Sequence, residues 1–328
     1  MTINALVLFA DFAGNSSHNK RENKMEKKTG FKPKGIIPAV ITPLTNEGRF
    51  NEKAMRKLLN YLIDGGVHGL FVVGTTGEFY GLIPEEKRDI FMVAVDEAKG
   101  KLPVYAGTNG ITTRETVMLT QLAEECRVDA VSVLTPMFIA PTQDQLIRHY
   151  RTIAENTSLP VVLYNNPPKT SVSLAPATVA KLAEVPNING IKDSSGDMTV
   201  TAEYIRLIQH NNNFSVLMGR DTLIYGALCY GATGSIASCA NVAPRLCVDI
   251  YERFIAGDLK GSLKAQFSLA PLRIAFNLGT FPAVIKESLD LLGIEAGPCM
   301  EPAGPLTGDE RAKLREVLID LGLLKLIV

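Results

Sequence analysis

The sequence predicts an α/β fold, a (β/α)8 TIM barrel with a C-terminal helical appendage. From Gly35 onward, short apolar runs rich in β-branched residues alternate with longer, charged, amphipathic stretches. This alternation is typical of buried parallel strands connected by helices. Eight such repeats within about 220 residues match a closed barrel. Three further helical stretches follow the eighth repeat. An open, doubly wound sheet is the structural alternative, because it has the same alternation.

The eight predicted strands are almost entirely apolar, as expected for strands that are covered on both faces. They are residues 35–42, 69–73, 103–106, 130–134, 160–164, 188–192, 214–218 and 234–237. Because a helical stretch separates each pair, the connections should be right-handed crossovers and the strands parallel.

The predicted barrel helices are charged and amphipathic, except for the seventh, which is uncharged. They are residues 52–64, 84–98, 113–126, 143–156, 176–184, 200–209, 222–230 and 242–255. The uncharged run between Asp221 and Arg245 is long enough to cross a bilayer. Its glycines instead predict a helix and then a buried strand, with the break at Gly231.

The chain is expected to divide into three parts. Residues 1–34 form an N-terminal extension, either a disordered tail or a start assigned too early, with Met25 as a second candidate first residue. The barrel occupies residues 35–257. The C-terminal helices, predicted at residues 258–275, 282–292 and 308–323, occupy residues 258–328 and pack on the barrel.

Composition excludes several classes of function. The 34 basic and 34 acidic residues cancel, so the net charge indicates neither a nucleic-acid partner nor an anionic membrane. Five cysteines, an odd number without a C-x-x-C spacing, indicate thiols in a reducing compartment, and we expect a cytoplasmic protein. Four scattered histidines make a zinc site improbable, and no metal is expected.

Candidate chemistry lies at the carboxyl ends of three predicted strands, where barrel enzymes place their active sites. After strand two, glycines bracket Thr75 and Thr76 in a turn that can hold a carboxylate or can simply cap the next helix. Strand five ends at Tyr164, an acid–base candidate or a core ring. Strand six ends at Lys192, which can form a Schiff base, or can extend to solvent or pair with Asp193.

Together these strand ends favour catalysis over the individual structural interpretations. Tyr164 and Lys192 end adjacent strands, so their side chains can converge. Burial disfavours the ammonium form of a lysine, and a neutral amine can attack a ketone. A Schiff-base lysine needs a proton shuttle, and a 2-oxo acid needs a carboxylate cradle. Tyr164 and the Thr75–Thr76 turn can supply both.

These residues resemble the dihydrodipicolinate synthase / N-acetylneuraminate lyase family of class I aldolases. The likeness runs from about Gly35 to the C-terminus. It is carried, in order, by Gly35-Ile36-Ile37-Pro38-Ala39-Val40-Ile41-Thr42-Pro43, Gly74-Thr75-Thr76-Gly77-Glu78, Tyr164-Asn165-Asn166-Pro167, Gly190-Ile191-Lys192-Asp193, Gly234-Ser235-Ile236 with Ala240-Asn241, and the stretch 282–293.

The resemblance implies a barrel that is usually a homotetramer and works without a metal or organic cofactor. By motif, Lys192 resembles the lysine that forms a covalent imine with pyruvate, and Tyr164 resembles the tyrosine that relays protons. Thr75, with Thr76, resembles the pair that binds the pyruvate carboxylate. The resemblance further implies substrate binding by Lys169, Ile236, Gly219 and Asp221. The partners are then small molecules, pyruvate and an aldehyde.

Departures from the family pattern leave the aldehyde open. Phe138 stands where lysine-pathway synthases commonly have a second relay tyrosine, and Lys169 stands where they have an arginine. Ser171 replaces the usual glycine, and Thr222 does not match the glutamate of the sugar-acid enzymes. Condensation of the dihydrodipicolinate synthase type is the leading hypothesis. A 2-keto-3-deoxy-sugar-acid aldolase or an N-acetylneuraminate lyase is the alternative, and a non-catalytic 2-oxo acid binding relative is a third.

Overall fold

The fold is a barrel of eight parallel strands in a computed structural model that describes residues 30–325. The strands are β1 (Gly35–Pro38), β2 (Leu70–Val72), β3 (Val104–Gly107), β4 (Ala130–Leu134), β5 (Val161–Asn165), β6 (Ile188–Asp193), β7 (Ser215–Met218) and β8 (Gly234–Ala237). Their order is β1-β8-β7-β6-β5-β4-β3-β2. A bridge from Ala39 to Phe71, with the Val40 N–H bonded to the Phe71 carbonyl at 2.8 Å, joins the first two strands. The predicted barrel is confirmed, and the open-sheet alternative is wrong.

Helices cover the outside of the barrel and continue beyond it. They are α1 (Glu52–Asp64), α2 (Pro84–Ala98), α3 (Thr113–Glu125), α4 (Gln143–Glu155), α5 (Pro167–Thr170), α6 (Pro176–Ala183), α7 (Met198–Ile208), α8 (Ile224–Tyr230), α9 (Pro244–Ile255), α10 (Leu259–Ala275), α11 (Ala283–Leu291) and α12 (Gly308–Asp320). The last three form the predicted C-terminal appendage. The short helix α5 was not predicted, because four residues after two prolines give no periodic signal.

Local chemistry fixes where these helices begin. The Asn51 side chain accepts a hydrogen bond from the Ala54 N–H at 3.1 Å and caps α1. The start predicted for α9 at residue 242 is wrong, because Pro244 occupies the first turn, where its missing N–H has no cost. The helix predicted over residues 222–230 begins instead as a 3-10 turn, Asp221–Leu223, before α8.

Strand β1 is shorter than predicted, because its hydrogen bonds change partner. The predicted strand continued to Thr42, but the regular pairing with β8 ends at Pro38. Beyond it, the Ile41 N–H donates to the Asn241 side-chain oxygen at 3.0 Å rather than to a neighbouring strand. A side chain that accepts such a bond satisfies the buried backbone without extending the sheet.

Two apolar layers hold the architecture together. Inside the barrel, an interior cluster contains Ile37, Phe71, Tyr105, Val162, Leu217 and Ile236, all fully or nearly fully buried. A larger cluster fills the space between the sheet and the surrounding helices, where α1 contributes Met55, Leu58 and Leu62. Burial on both faces explains why the strands lack polar alternation.

The C-terminal helices contact the rim of the barrel. On α10, the Gln266 amide donates to the Asp221 carbonyl at 2.9 Å and accepts from the Tyr225 N–H at 2.9 Å. On α11, Lys286 forms an ion pair of 2.6 Å with Glu78, which follows β2. Both partners are almost completely buried. These contacts place α10 and α11 beside the carboxyl ends of the strands.

The uncharged run that could have crossed a bilayer folds into α8 and β8, as predicted, with Gly231 in the left-handed region at φ 106°. No helix in residues 30–325 is long and apolar enough to cross a membrane. Of the expected N-terminal extension, residues 1–34, the part from residue 1 to residue 29 lies outside the described residues. The division at residue 257 stays a prediction.

A buried histidine predicts how stability depends on pH. His149 on α4 is 7% exposed, and its Nδ1 lies 2.9 Å from the Thr113 hydroxyl. Burial lowers its pKa to about 4. As the pH falls, the unfolded chain therefore takes up this proton at a higher pH than the folded chain does. The free energy of unfolding decreases between about pH 6.5 and pH 4, by up to about 3 kcal/mol. Urea unfolding at pH 7.5 and 4.5 measures the loss, which should shrink in His149→Gln. An unchanged loss in that variant would contradict the assignment.

Candidate active site

The candidate active site is a cavity of about 370 Å³ at the carboxyl ends of the strands. Residues in the last positions of β5 and β6 line it, together with residues that follow β2, β5, β6, β7 and β8, residues of α10 and the segment that follows α10. Parallel strands of a closed barrel all end at the same rim, so residues that are distant in sequence meet there.

Lys192 and Tyr164 converge in this cavity, as predicted from their adjacent strands. They are register partners in the β5–β6 pair. The Lys192 ammonium nitrogen lies 4.0 Å from the centre of the Tyr164 ring and 5.0 Å from the centre of the Phe71 ring. Lys192 is 3% exposed. Two aromatic faces therefore enclose the nitrogen and leave it at the base of the cavity, where it can meet a small substrate.

Asp193 does not neutralise Lys192, which excludes the alternative interpretation of the lysine. The Asp193 carboxylate accepts bonds from the Asn165 amide at 2.9 Å and the Thr201 hydroxyl at 2.6 Å. It also accepts from the Ser195 N–H at 3.0 Å. These neighbours hold Asp193 in the wall behind the cavity, so the amine of Lys192 stays available to a ligand.

Four polar groups surround the Tyr164 hydroxyl. It lies 3.3 Å from the Thr75 hydroxyl and accepts a bond from the Asn166 amide at 3.0 Å. Burial raises the pKa of Tyr164, but the charge of Lys192 and hydrogen bonds with Thr75, Lys192 and Ser194 outweigh it and bring this pKa below its ordinary value. A phenol with a lowered pKa exchanges its proton more readily near neutral pH. Tyr164 is thus suited to proton transfer.

The Thr75–Thr76 turn faces the cavity and caps no helix. The next helix, α2, begins only at Pro84, so the helix-cap interpretation is wrong. A Cβ on Gly77 would lie 2.9 Å from the Val40 carbonyl, so this position accepts only glycine without a shift. The Thr76 hydroxyl lies 3.3 Å from the Ser238 hydroxyl. Hydroxyl and N–H groups of this turn can bind a carboxylate.

Of the other four predicted substrate contacts, three line the cavity and one lies below it. Lys169 and Gly219 line the cavity, and the Lys169 ammonium lies 6.0 Å from the centre of the Phe281 ring. Asp221 also lines it, but its carboxylate is 1% exposed and accepts the Cys239 N–H at 2.9 Å. Ile236 lies in the interior cluster below the cavity and is absent from the cavity wall. Their roles in binding stay predictions.

Several cavity residues were missed by reasoning from sequence. Arg220, Ser194 and Asn166 stand beside predicted residues in strand-end loops, so a wider view of each loop would have included them. Arg273 comes from α10, which was predicted to pack on the barrel, but no sequence signal places that helix beside the cavity. Its Nε lies 3.5 Å from the Asp221 carboxylate.

Phe138 lies apart from this cavity. It is 92% exposed and has a φ of 72°, in the left-handed region. Ser171, where the family usually has glycine, also has a positive φ, 58°, as the residue that ends α5. A serine in this conformation is more strained than a glycine.

The fold and the cavity define a class of barrel enzyme with a buried lysine, a tyrosine and hydroxyl groups at the strand ends. The family model described as the Dihydrodipicolinate synthetase family matches residues 32–320. The chain belongs to this family, which is a family of lyases. The family named from sequence motifs is confirmed.

Individual relatives support the same assignment. A 4-hydroxy-tetrahydrodipicolinate synthase from Methanothrix thermoacetophila is 38% identical over 87% of this chain and 96% of its own. Among solved structures, the dihydrodipicolinate synthase of Thermotoga maritima has a TM-score of 0.86 at 32% identity, covering 89% of this chain and 99% of its own. A prophage protein of the dihydrodipicolinic acid synthase family from E. coli K12, solved in complex with pyruvate, has a TM-score of 0.86 at 34% identity, covering the same shares of the two chains.

Removing the Tyr164 hydroxyl tests its place in proton transfer. Tyr164→Phe keeps the ring beside Lys192 but loses the group that contacts Thr75 and Asn166. We expect turnover to fall by roughly 10²- to 10⁴-fold, the usual contribution of a positioned acid–base group. Pyruvate should still add to the enzyme. Steady-state rates measured beside covalent trapping separate the two effects, and unchanged turnover would remove Tyr164 from the reaction.

Proposed function

We propose that the protein is a pyruvate-dependent class I lyase that condenses pyruvate with an aldehyde through an imine on Lys192. The observation that carries this proposal is the position of Lys192, whose nitrogen lies 4.0 Å from the ring centre of Tyr164 in the cavity. Thr75 contacts the same tyrosine. The proposed nucleophile, the proposed proton carrier and the turn proposed to bind the carboxylate therefore lie in one site.

The chemistry follows from these groups. The Lys192 amine adds to the pyruvate ketone, and loss of water gives an imine. The imine withdraws electrons from the neighbouring methyl group, which loses a proton and becomes an enamine. That carbon attacks the aldehyde, whose oxygen takes up a proton, and water then releases the product and restores the amine. Tyr164 exchanges the protons, while Thr75 and Thr76 hold the carboxylate. In reverse, the same steps cleave a carbon–carbon bond.

We propose aspartate semialdehyde as the leading aldehyde. The curated relatives are named 4-hydroxy-tetrahydrodipicolinate synthase. Lys169 supplies a cation in the cavity wall for an acid group on the aldehyde, although lysine lacks the two-pronged geometry of arginine. Gly219, Asp221 and Ile236 are proposed as further substrate contacts. No metal or organic cofactor takes part in the steps above.

We also propose that the protein is a cytoplasmic homotetramer. The loop after β4 exposes two apolar side chains, Phe138 at 92% and Ile139 at 60%, which a neighbouring copy would cover. A monomeric dihydrodipicolinate synthase variant is known among the solved structures. Light scattering during size-exclusion chromatography tests the assembly, and a monomeric mass would contradict it.

Product analysis tests the reaction. Incubation with pyruvate and aspartate semialdehyde should consume both and give the cyclic condensation product, which mass spectrometry detects. Glyceraldehyde with pyruvate tests the sugar-acid aldolase alternative, and cleavage of N-acetylneuraminate tests the N-acetylneuraminate lyase alternative. Binding of pyruvate without turnover of any aldehyde would support the non-catalytic hypothesis and overturn the proposed activity.

A further inference from the structure

Asn166 immediately precedes the short helix α5, but its side chain does not serve that helix. An asparagine in this position often caps a helix by accepting a backbone N–H. Within residues 30–325, the Asn166 side chain accepts no such bond from α5. The Asn166 carbonyl instead accepts the N–H groups of Lys169 at 2.9 Å and Thr170 at 3.1 Å. The main chain of Asn166 therefore supports α5, and the role of its side chain lies elsewhere.

The side chain of Asn166 contacts the tyrosine of the candidate active site. Its amide nitrogen donates a hydrogen bond to the Tyr164 hydroxyl at 3.0 Å. Asn166 is 7% exposed and lines the cavity. Because an amide nitrogen only donates, the Tyr164 oxygen is the acceptor in this contact. The hydrogen of the Tyr164 hydroxyl is therefore directed away from Asn166, and the Thr75 hydroxyl lies 3.3 Å away as an acceptor.

We infer that Asn166 is a positioning residue that orients the Tyr164 hydroxyl towards Thr75 and stabilises the deprotonated form of Tyr164. A donor to the hydroxyl oxygen binds a phenolate more strongly than a neutral phenol, because hydrogen bonds to charged groups are the stronger ones. Asn166 does not carry a proton itself, since its amide has no titration near neutral pH. Its part in the reaction rests on the proposed function, whereas its effect on Tyr164 does not.

Charged groups near Tyr164 act on the same proton. Lys192 on β6 contacts the tyrosine ring, with 4.0 Å from its nitrogen to the ring centre. Leu134 on β4, the other register partner of Tyr164, is uncharged. Among the described residues, the remaining charged groups that line the cavity are Lys169, Arg220, Asp221 and Arg273. Replacing Asn166 by leucine alters none of these charges, so a change in the ionisation of Tyr164 would report the lost hydrogen bond.

Titration of tyrosinate absorbance tests the effect on Tyr164 without any reaction. Each enzyme is compared with the same enzyme carrying Tyr164→Phe, which isolates this tyrosine. Asn166→Leu keeps a branched side chain of similar size but loses the donor. It should move the Tyr164 midpoint upward by about one to two pH units, the effect of a hydrogen bond to a charged group. Asn166→Asp has the shape of asparagine and adds a negative charge, so it should move the midpoint further.

The matched control is Asn156→Leu, because the Asn156 amide donates to the Thr152 carbonyl at 2.8 Å on the surface of α4. This variant should leave the Tyr164 midpoint unchanged. An unchanged or lower midpoint in Asn166→Leu would overturn the inference, since the amide would then accept from the hydroxyl or have no effect on it. If Asn166→Leu does not fold, Asn166→Asp decides the question by the same criterion.

Kinetics then test whether Asn166 acts in the reaction. In Asn166→Leu, the pH profile of kcat for condensation should move to higher pH together with the Tyr164 midpoint. A merely structural role would lower the rate without moving the profile, and that result would contradict a part for Asn166 in the reaction. A raised midpoint in an enzyme that forms no pyruvate adduct would overturn the proposed function and leave the effect on Tyr164. An adduct with an unmoved midpoint would do the reverse.

Discussion

Replacing Lys192 by methionine is expected to abolish condensation, with a loss of at least about 10³-fold in turnover, because it removes the amine that forms the imine in the proposed reaction. Methionine keeps a similar length and fills the space between the Tyr164 and Phe71 rings, so the fold should persist. The measurement is pyruvate consumption in the presence of an aldehyde, followed together with thermal unfolding to show that the variant is folded.

The matched control is Lys169→Met, which changes the other lysine of the cavity. That lysine is exposed and lies beside the Phe281 ring rather than at the cavity base. Pyruvate should still form its adduct with this variant, while the KM for an acidic aldehyde should rise. If the Lys192→Met variant condensed pyruvate with the aldehyde as fast as the Lys169→Met variant does, the proposed imine on Lys192 would be refuted.

Lys286→Met is expected to destabilise the folded protein by roughly 3–5 kcal/mol, because it leaves a buried carboxylate without its cation. Glu78 is completely buried and holds Lys286 at 2.6 Å with one oxygen, while its other oxygen accepts the Met300 N–H at 2.7 Å. The Lys286 ammonium also donates to the Pro298 carbonyl at 2.6 Å. Urea unfolding at pH 7 measures the effect.

A double variant separates the charge from the packing. Glu78→Gln with Lys286→Met removes both charges and keeps most of the volume, so it should recover a large part of the lost stability. Glu78→Gln alone gives the reference loss of stability in the wild-type protein. If adding Glu78→Gln to Lys286→Met lowered stability by that same amount, the two residues would act independently. That outcome would contradict a stabilising ion pair between the barrel and the C-terminal helices.

The barrel and its central site could be predicted because both follow from local patterns in the chain. Apolar runs of strand length mark the layers, and the strand-end rule then brings Thr75, Tyr164 and Lys192 to one rim without any knowledge of packing. Their meeting is confirmed by the register of Tyr164 with Lys192 and by the distance of 3.3 Å between the Thr75 and Tyr164 hydroxyls. The roles of these residues in catalysis remain to be tested.

Other features of the cavity depend on tertiary packing, which no local pattern in the sequence encodes. Arg273 enters the cavity only because α10 packs on the rim through Gln266, whose contacts with Asp221 and Tyr225 are distant in sequence. The family resemblance implied a substrate contact at Asp221, but it could not show that a backbone N–H and Arg273 contact this carboxylate in the fold. Helix α5 is too short to show a period.

Covalent trapping tests the central claim most directly. The enzyme is incubated with pyruvate and sodium borohydride, its intact mass is measured, and the modified peptide is mapped. We expect one reduced pyruvyl group per chain, located on Lys192. Absence of an adduct, or an adduct on a different lysine such as Lys169, would contradict the proposed imine mechanism.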